Sequence, residues 1–521
     1  ASAPTGLVVS AVGGVLTFGH PGLLRTLAIV GAPLVGWLGV WRFSSILNAR
    51  AARVAGTLAY AATPLVWTSI AAGRMGGLAT YALFPWVVHA VRKLVGHVPL
   101  RNNVSTGADE FGDLSEREWR RTFALVALLG AVMFAFEPGA AVAFGVLCLV
   151  WSVATLLHGA PFARSARWLG IGAVASAAAV ALNLPWASTY IRGGWWEAVT
   201  GAPVEGGRDL GLRRIMRFEF GDFVMARPAI LLAVPVIGAI LVVRGARLPW
   251  ALRGATLAIT GTLLVFLDDK ALLPAHLPEP AVMMVPVAFG LAVCAASMGA
   301  GLRMDLRGGR ISWRQPLGVV VAGAFAVGLV PAAVNVWSGN WSQPGTTLGR
   351  LLSQLPDAAE SGEYRTMFLG DPRVLPGAPV SAGWGIAYSV VNGSSASLED
   401  MFFSTGTRAT ENAERAVHGI VRGTTSRAGR LLAPLSVRFI VVPVVDGGLS
   451  SRSHPLEAPK GLVDAVGRQL DLKRRYASPD LAIFENTSWL PVASVLTEQG
   501  AVASKSAGAG SNIPTDLSAA A

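Results

Sequence analysis

Five carboxylates, six arginines and a tryptophan pair crowd one stretch of this chain, residues 188–228, STYIRGGWWEAVTGAPVEGGRDLGLRRIMRFEFGDFVMARP. Glu197, Asp209 and Asp222 are its candidate catalytic residues, because a positioned carboxylate can take a proton from a reacting hydroxyl. Arg192, Arg213 and Arg214 are candidate substrate-binding residues, since a guanidinium pairs bidentately with phosphate oxygens. Trp195 and Trp196 offer flat faces on which a sugar ring can stack. A plainer reading stands beside this one. Tryptophans next to a membrane commonly sit at head-group level, and RRIMRF fits an amphipathic helix lying on a membrane surface.

Three further places carry chemistry-bearing residues. Arg74, in AAGRMGGLATY, is either a cation snorkelling to an interface or a clamp for a lipid phosphate. Asp268, Asp269 and His276, in DDKALLPAHLPEP, form a set that can hold a divalent cation, or that simply caps an apolar run in water. No other cofactor is implied and no metal ligand is assigned. Glu137, in FAFEPGA, falls at a turn rather than inside an apolar run. His89 lies one turn from Arg92 and is expected at an interface. Charge is otherwise nearly absent from the apolar runs, and the buried Asp/Glu/His chain that marks proton-coupled transporters is not seen.

The elements that must position these residues are membrane helices. Of 521 residues, 52% are hydrophobic and 14% are charged, where soluble chains carry about 25% charged residues. Apolar runs fall at about 5–19, 26–42, 54–72, 76–92, 122–136, 139–157, 168–187, 229–243, 250–267, 280–300 and 317–337. These are eleven candidate crossings, two of them short. Basic residues flank every even loop: Arg42, Arg50 and Arg53; Arg92, Lys93, Arg101, Arg117, Arg120 and Arg121; Arg164 and Arg167; Arg244 and Arg247; Arg303, Arg307, Arg310 and Arg314. By the positive-inside rule these loops are cytoplasmic, which puts everything after Trp337 outside. A multi-pass plasma-membrane protein is expected, with the lipid bilayer as its first partner.

The net charge of +12 does not point to nucleic acid. Residues 1–337 hold 27 Lys/Arg against 15 Asp/Glu, and residues 338–521 hold 16 against 16, so the excess sits among the apolar runs. Cys148 and Cys294 both lie inside such runs and read as packing residues. The chain starts ASAPTGLVV, without Met or a basic leader, and is expected to be a piece of a longer protein.

From Ser338 the character changes. YRTMFLG (364–370) and VRFIVVPVV (437–445) read as strands, RATENAERAVHGIV (408–421) and KGLVDAVGRQL (460–470) as amphipathic helices, and RRYASPDLAIFEN (474–486) as a hairpin. The expected architecture is an α-helical polytopic membrane bundle of about eleven spans (1–337), followed by a small extracytoplasmic α/β or α+β domain (338–500). A disordered Ala/Ser/Gly-rich tail (501–521) would follow. No phosphate-binding glycine loop, nucleophile elbow, zinc-protease motif or Asp-x-Asp pair occurs. Asn340, Asn392 and Asn486 each begin a glycosylation triplet, a pattern that also arises by chance.

LAYAATPLVWTSIAAGRMGGLATYALFPWVVHA, LPEPAVMMVPVAFGLAVCAA, YRTMFLGDPRVLPG, LSVRFIVVP and AIFENTSWLP together resemble a family of large actinobacterial membrane glycosyltransferases. Many of these carry an amino-terminal family 2 glycosyltransferase domain ahead of a many-span region and an exported domain. The chain is also distantly similar to GT-C polyprenyl-phosphate-sugar transferases, such as arabinofuranosyltransferases. The resemblance covers most of the chain, through motifs of packing type. It implies transfer of a sugar from a polyprenyl-phosphate donor to an acceptor glycan in cell-envelope assembly. The family 2 domain is absent here, and no catalytic residue carries over by motif. A non-catalytic scaffold or translocation partner for a lipid-linked glycan is the second reading.

Overall fold

The apolar runs fold as helices. The structure, a computed structural model, describes residues 4–71, 73–100, 112–184, 187–188, 195–201, 210–220, 225–304, 313–338, 352–353, 355–356, 362–394, 396–397, 400, 408–445, 456–477, 480–492, 498–499 and 502. It divides into a helical unit, residues 3–188 with 207–342, and a sheet unit, residues 343–521 with 189–206 and the first two residues.

The helical unit contains α1 (Pro4–Leu16), α2 (Pro21–Phe43), α3 (Arg50–Ala61), α4 (Leu65–Ala71), α5 (Met75–Val95), α6 (Glu116–Phe136), α7 (Ala140–Leu157) and α8 (Phe162–Ala181). A short helix α9 (Trp195–Thr200) belongs to the sheet unit. The helical unit resumes with α10 (Leu212–Met216), α11 (Val234–Val242), α12 (Leu248–Asp269), α13 (Pro280–Met304) and α14 (Arg314–Ser338). Six helical segments among the described residues are long and apolar enough to cross a membrane: Gly22–Leu47, Glu116–Phe136, Ala140–Leu157, Gly245–Asp269, Pro280–Leu302 and Arg314–Ser338. The eleven crossings read from the sequence exceed these six.

The differences have local causes. The run 54–72 splits into α3 and α4 around Pro64, which has no N–H to continue the ladder. The run 229–243 is a 3₁₀ turn, Arg227–Ala233, that becomes α-helical only at Val234. The run 122–136 begins earlier, at Glu116, because Ser115 and Glu118 form a capping box.

At the centre is α13, whose apolar window is completely buried. Small residues allow its neighbours in. A Cβ on Gly290 would lie 2.7 Å from the Gly254 carbonyl of α12, and one on Gly299 would lie 2.8 Å from the Ala51 carbonyl of α3. Close backbone approach through small residues is the usual device where lipid supplies no hydrophobic drive.

The sheet unit holds one six-stranded sheet in the order β2-β3-β1-β4-β6-β5. Its strands are β1 (Arg365–Gly370), β2 (Val380–Ser381), β3 (Ala387–Asn392), β4 (Val437–Pro443), β5 (Leu472–Ala477) and β6 (Leu481–Asn486). Its further helices are α15 (Arg408–Arg422), α16 (Ala428–Leu432) and α17 (Leu462–Gly467). β1 and β4 are parallel and every other pair is antiparallel. Both sheet faces are covered. Met367, Ile440, Val442 and Phe484 pack with Val417 and Ile420 of α15, and Phe368, Phe439, Val441 and Ile483 pack with Tyr364 on the other side. That is why β4 is apolar without a break from Phe439 to Pro443, while Arg438 near its start pairs with Glu485. Asn486 is fully buried, with its amide donating to the Gly429 and Val437 carbonyls, both at 2.9 Å. Its side chain is a structural strut inside the fold, not an exposed glycosylation acceptor. Of the expected tail, only Val502 is described.

Candidate functional site

Three turns of the helical unit meet through Arg74, Glu137 and Glu279. Gly73, with φ +67°, follows α4 and turns the chain sharply, and the Arg74 N–H donates to the Ser69 carbonyl at 2.8 Å. Arg74 therefore sits at the N-terminus of α5. Glu279 precedes α13, where Pro280 suits a first helical position and the Glu279 carbonyl accepts from Val282 at 2.8 Å. Arg74 Nη2 stands 3.4 Å from Glu279 Oε1, with the two side chains 20% and 34% exposed.

Glu137 ends α6. Its carboxyl group packs against Gly76 in the first turn of α5, where an added Cβ would collide with Oε2. A Cβ on Gly139 would lie 2.7 Å from Pro278 Cβ and 2.9 Å from Glu137 Oε1. Glycines at both positions thus let the carboxyl group settle between two helix starts. Withdrawal from water, and then the neighbouring Glu279 charge, push its pKa up to about 8, against a smaller opposing pull from the Gly139 amide and Arg74. A carboxyl group that titrates near neutrality can take or give a proton at working pH. Glu279 and Arg74 supply a second carboxylate and a cation beside it.

The acids of the α12–α13 connection act as clasps. Asp269 Oδ2 accepts the Leu210 N–H at 2.9 Å and lies 3.5 Å from Lys270 Nζ; Asp268 Oδ1 accepts the Leu277 N–H at 2.8 Å. Each carboxylate ties a different backbone segment to the end of α12. His276 has interactions of its own. Among the described residues, no three His, Cys, Asp or Glu side chains converge as metal ligands would. Glu219 is likewise committed, to Arg217 at 2.8 Å and to the Met225 N–H at 3.0 Å.

The remaining residues singled out from the sequence separate into three groups. Arg74, Arg213 and Arg214 belong to the helical unit, the latter two on α10, with Arg213 exposed. Trp195 and Trp196 open α9 in the sheet unit, their rings edge to face at 5.3 Å and Trp195 exposed. Glu197 lies on the same helix, with its side chain outside the described residues. Arg192, Asp209 and Asp222 fall outside them altogether. The stretch 188–228 is thus divided between the two units.

No family model and no curated protein matches the chain. Among solved structures, it is similar to the crystal structure of the Archaeoglobus fulgidus oligosaccharyltransferase tethered through a disulfide bond to an acceptor peptide containing the NVT sequon. That likeness has 12% sequence identity and a TM-score of 0.40, and covers 85% of this chain and 61% of that one. The chain thus spans about three fifths of that protein's length. By itself the likeness assigns no chemistry.

Sequence reasoning placed Glu137 at a turn but gave neither it nor Glu279 a role. The available signals were the Pro-Gly of FEPG and the two prolines of LPEP between apolar runs, since proline and glycine punctuate elements. A second set of basic residues is buried, of which the sequence reading names only Arg92 and His89. Arg92 and Arg253 are 2% and 0% exposed, and His89 and His97 are 6% and 3% exposed. His89 is therefore buried within the bundle. Arg253 Nε donates to Thr155 Oγ1 at 3.0 Å and its guanidinium lies 4.7 Å from the Trp250 ring; Arg92 donates to the His97 carbonyl at 3.2 Å. Trp151, Trp168, Trp250 and Phe43 enclose them. Burial, and then the nearby arginines, keep the His97 imidazole neutral.

Proposed function

We propose that this chain is a membrane-embedded glycosyltransferase, or the membrane portion of one. It would move a sugar from a polyprenyl-phosphate donor to an acceptor glycan in cell-envelope assembly. The observation that carries this reading is the meeting of Glu137, Arg74 and Glu279 at the turns of an apolar helical bundle. A lipid-borne donor needs apolar helices for its tail, a cation for its phosphate and a carboxylate for the incoming hydroxyl.

In this reading Glu137, in its ionised form, accepts the acceptor hydroxyl's proton as the new C1–O bond forms. The C1–O bond to phosphate breaks, and polyprenyl phosphate leaves with the electron pair. Arg74 stabilises the growing negative charge on that phosphate. Arg213 and Arg214, on α10, would guide the lipid phosphate; Trp195 and Trp196, on α9 of the sheet unit, are separately proposed as sugar-stacking surfaces. Asp209, Asp222 and Glu197 compete with Glu137 for the role of base. The positive charge of the even loops supports an extracytoplasmic placement of these turns, and the same rule supports one for the sheet unit.

The test is transfer of a labelled sugar from a polyprenyl-phosphate donor by the protein in lipid vesicles. Arg74→Ala and Glu137→Gln are expected to lose at least a hundredfold in rate while still inserting in the membrane. Full activity in Arg74→Ala, Glu137→Gln, Asp209→Asn, Asp222→Asn and Glu197→Gln alike would sink the proposal. Donor binding without transfer by the unmodified protein would favour the scaffold instead.

A further inference from the structure

The sheet unit contains another place where aromatic and polar side chains meet. On α15, Glu411, Glu414, His418 and Arg422 follow one another at three- and four-residue steps, so they share one face. The opposite face, with Ala413, Ala416, Val417 and Ile420, is buried in the core. The polar face and the neighbouring Arg415 line a cavity of about 360 Å³.

Beside it stands Trp384, at the tip of the β2–β3 hairpin. Gly383, Trp384 and Gly385 all have positive φ, at 79°, 52° and 70°. The tip is closed by the Ala382 N–H donating to the Ile386 carbonyl at 2.8 Å, and by the Ile386 N–H donating to the Gly383 carbonyl at 3.0 Å. Bulky residues seldom adopt that backbone region. Here it directs the indole outward, and Trp384 is 47% exposed. The ring is nevertheless held. The Arg422 guanidinium lies 4.7 Å from its centroid, and the His418 ring meets it at 5.5 Å with the planes tilted by 67°. His418 Nε2, facing a carbonyl that can only accept, donates to Ala382 O at 2.8 Å and pins the hairpin to α15.

A half-exposed indole, fixed by a helix and a closed turn, presents a large apolar face to the solvent in a set orientation. The groups around it narrow the choice of ligand. Glu411 and Glu414 balance Arg415 and Arg422, so the rim has no net attraction for an anion. Two carboxylates also make a poor seat for an anionic lipid surface. A neutral polyol fits both kinds of group, since its hydroxyls donate to carboxylates and accept from guanidinium groups.

We propose that this is a saccharide-binding site: the apolar C–H face of a neutral sugar ring packs on Trp384, and its hydroxyls engage Glu414 and Arg422. It rests on the transferase reading only in giving the sheet unit the acceptor glycan to hold. Binding is measured without transfer, so the two proposals fail separately.

The experiment titrates the full chain, in detergent and in nanodiscs, with short neutral oligosaccharides of pentoses and of hexoses, read by saturation-transfer NMR. Saturable binding of at least one is expected, weakened about tenfold or more in Trp384→Ala and several-fold in Glu414→Gln, and largely retained in Trp384→Phe. Glu414→Gln alters a solvated helix face, so it reports on the site even if Trp384→Ala misfolds. No saturable binding by the unmodified protein, or equal binding by Glu414→Gln and Trp384→Ala, would overturn the proposal. Brominated lipids in the nanodisc that quench the Trp384 contribution, taken as the difference from Trp384→Phe, would make the residue a membrane anchor and overturn it too. Binding that persists in a chain unable to transfer sugar would leave the site standing and remove the enzyme.

Discussion

Charge is handled in two opposite ways within the helical unit. Where α4–α5, α6–α7 and α12–α13 turn, it is carried mainly by carboxylates: Glu137, Glu279, Asp268 and Asp269, with Arg74 and Lys270 among them. These groups are half-buried or bound to loop amides, and Glu137 is moved into the neutral pH range. Where α5, α7, α8 and α12 bring Arg92, Trp151, Trp168 and Arg253 together, charge is cationic and enclosed by indoles. Trp151 Nε1 donates to the Arg253 carbonyl at 3.1 Å, from 102 residues away in the sequence. Buried guanidinium groups stacked on aromatic faces and hydrogen-bonded to hydroxyl and carbonyl oxygens are a structural arrangement. A partly accessible carboxyl group held close to neutral pKa is a chemical one. One region fastens helices; the other is equipped to move a proton.

The largest expected effect lies in the enclosed region. Trp151→Ala should cost about 3–5 kcal/mol, read as a fall in the thermal midpoint of the detergent-solubilised protein. A change below about 1 kcal/mol would mean that this region is loosely packed and not a fastener. Next comes Gly76→Ala. Its methyl group would strike the Glu137 carboxyl group and lie 2.8 Å from the Phe136 carbonyl. Overpacking costs about 1–3 kcal/mol, enough to outweigh the gain in helix propensity. A stabilised Gly76→Ala protein would show that Glu137 is not confined there.

A third expectation concerns pH. The Glu137 pKa is raised above its ordinary value, so the fold holds this proton more tightly than the unfolded chain does. The stability it contributes is complete below the ordinary carboxyl range, declines above it, and is lost as pH passes through about 8. Thermal midpoints measured from about pH 6 to 9.5 should fall in the unmodified protein, and less in Glu137→Gln. Identical slopes would remove the special status of Glu137. The smallest effect on stability is expected from Arg74→Lys. A partly exposed ion pair contributes about 0–1 kcal/mol, so the midpoint should barely move. Sugar transfer should fall all the same, because an ammonium cannot reproduce bidentate phosphate contact.

The uneven legibility of the sequence follows the same division. The positions of most helices, the strands around YRTMFLG and VRFIVVP, and the final hairpin could be read because apolar periodicity is a local signal. β3, AYSVVN, was missed because a glycine-rich turn precedes it and a Gly-Ser turn follows. Arg253 lies inside the apolar run 250–267, yet its role stayed hidden because its partners, Thr155 and Trp151, are distant in the chain. Arg74 could be singled out as a lone cation in a tight turn. Its pairing with Glu279 and the confinement of Glu137 depend on helix packing, which no single segment encodes. Asp268 and Asp269 could be read either as a cation site or as a solvated cap because side-chain types were visible and their amide partners, Leu277 and Leu210, were not.

The most direct test of a working end and a fastened end is the pH dependence of sugar transfer in vesicles, compared between the unmodified protein and Glu137→Gln. In the unmodified protein the rate should rise with pH along a limb centred near 8, as the carboxyl group ionises into a base. In Glu137→Gln that limb should vanish and the rate should drop at every pH. A Gln variant with the full rate and the same limb would contradict the assignment and move the chemistry away from these turns.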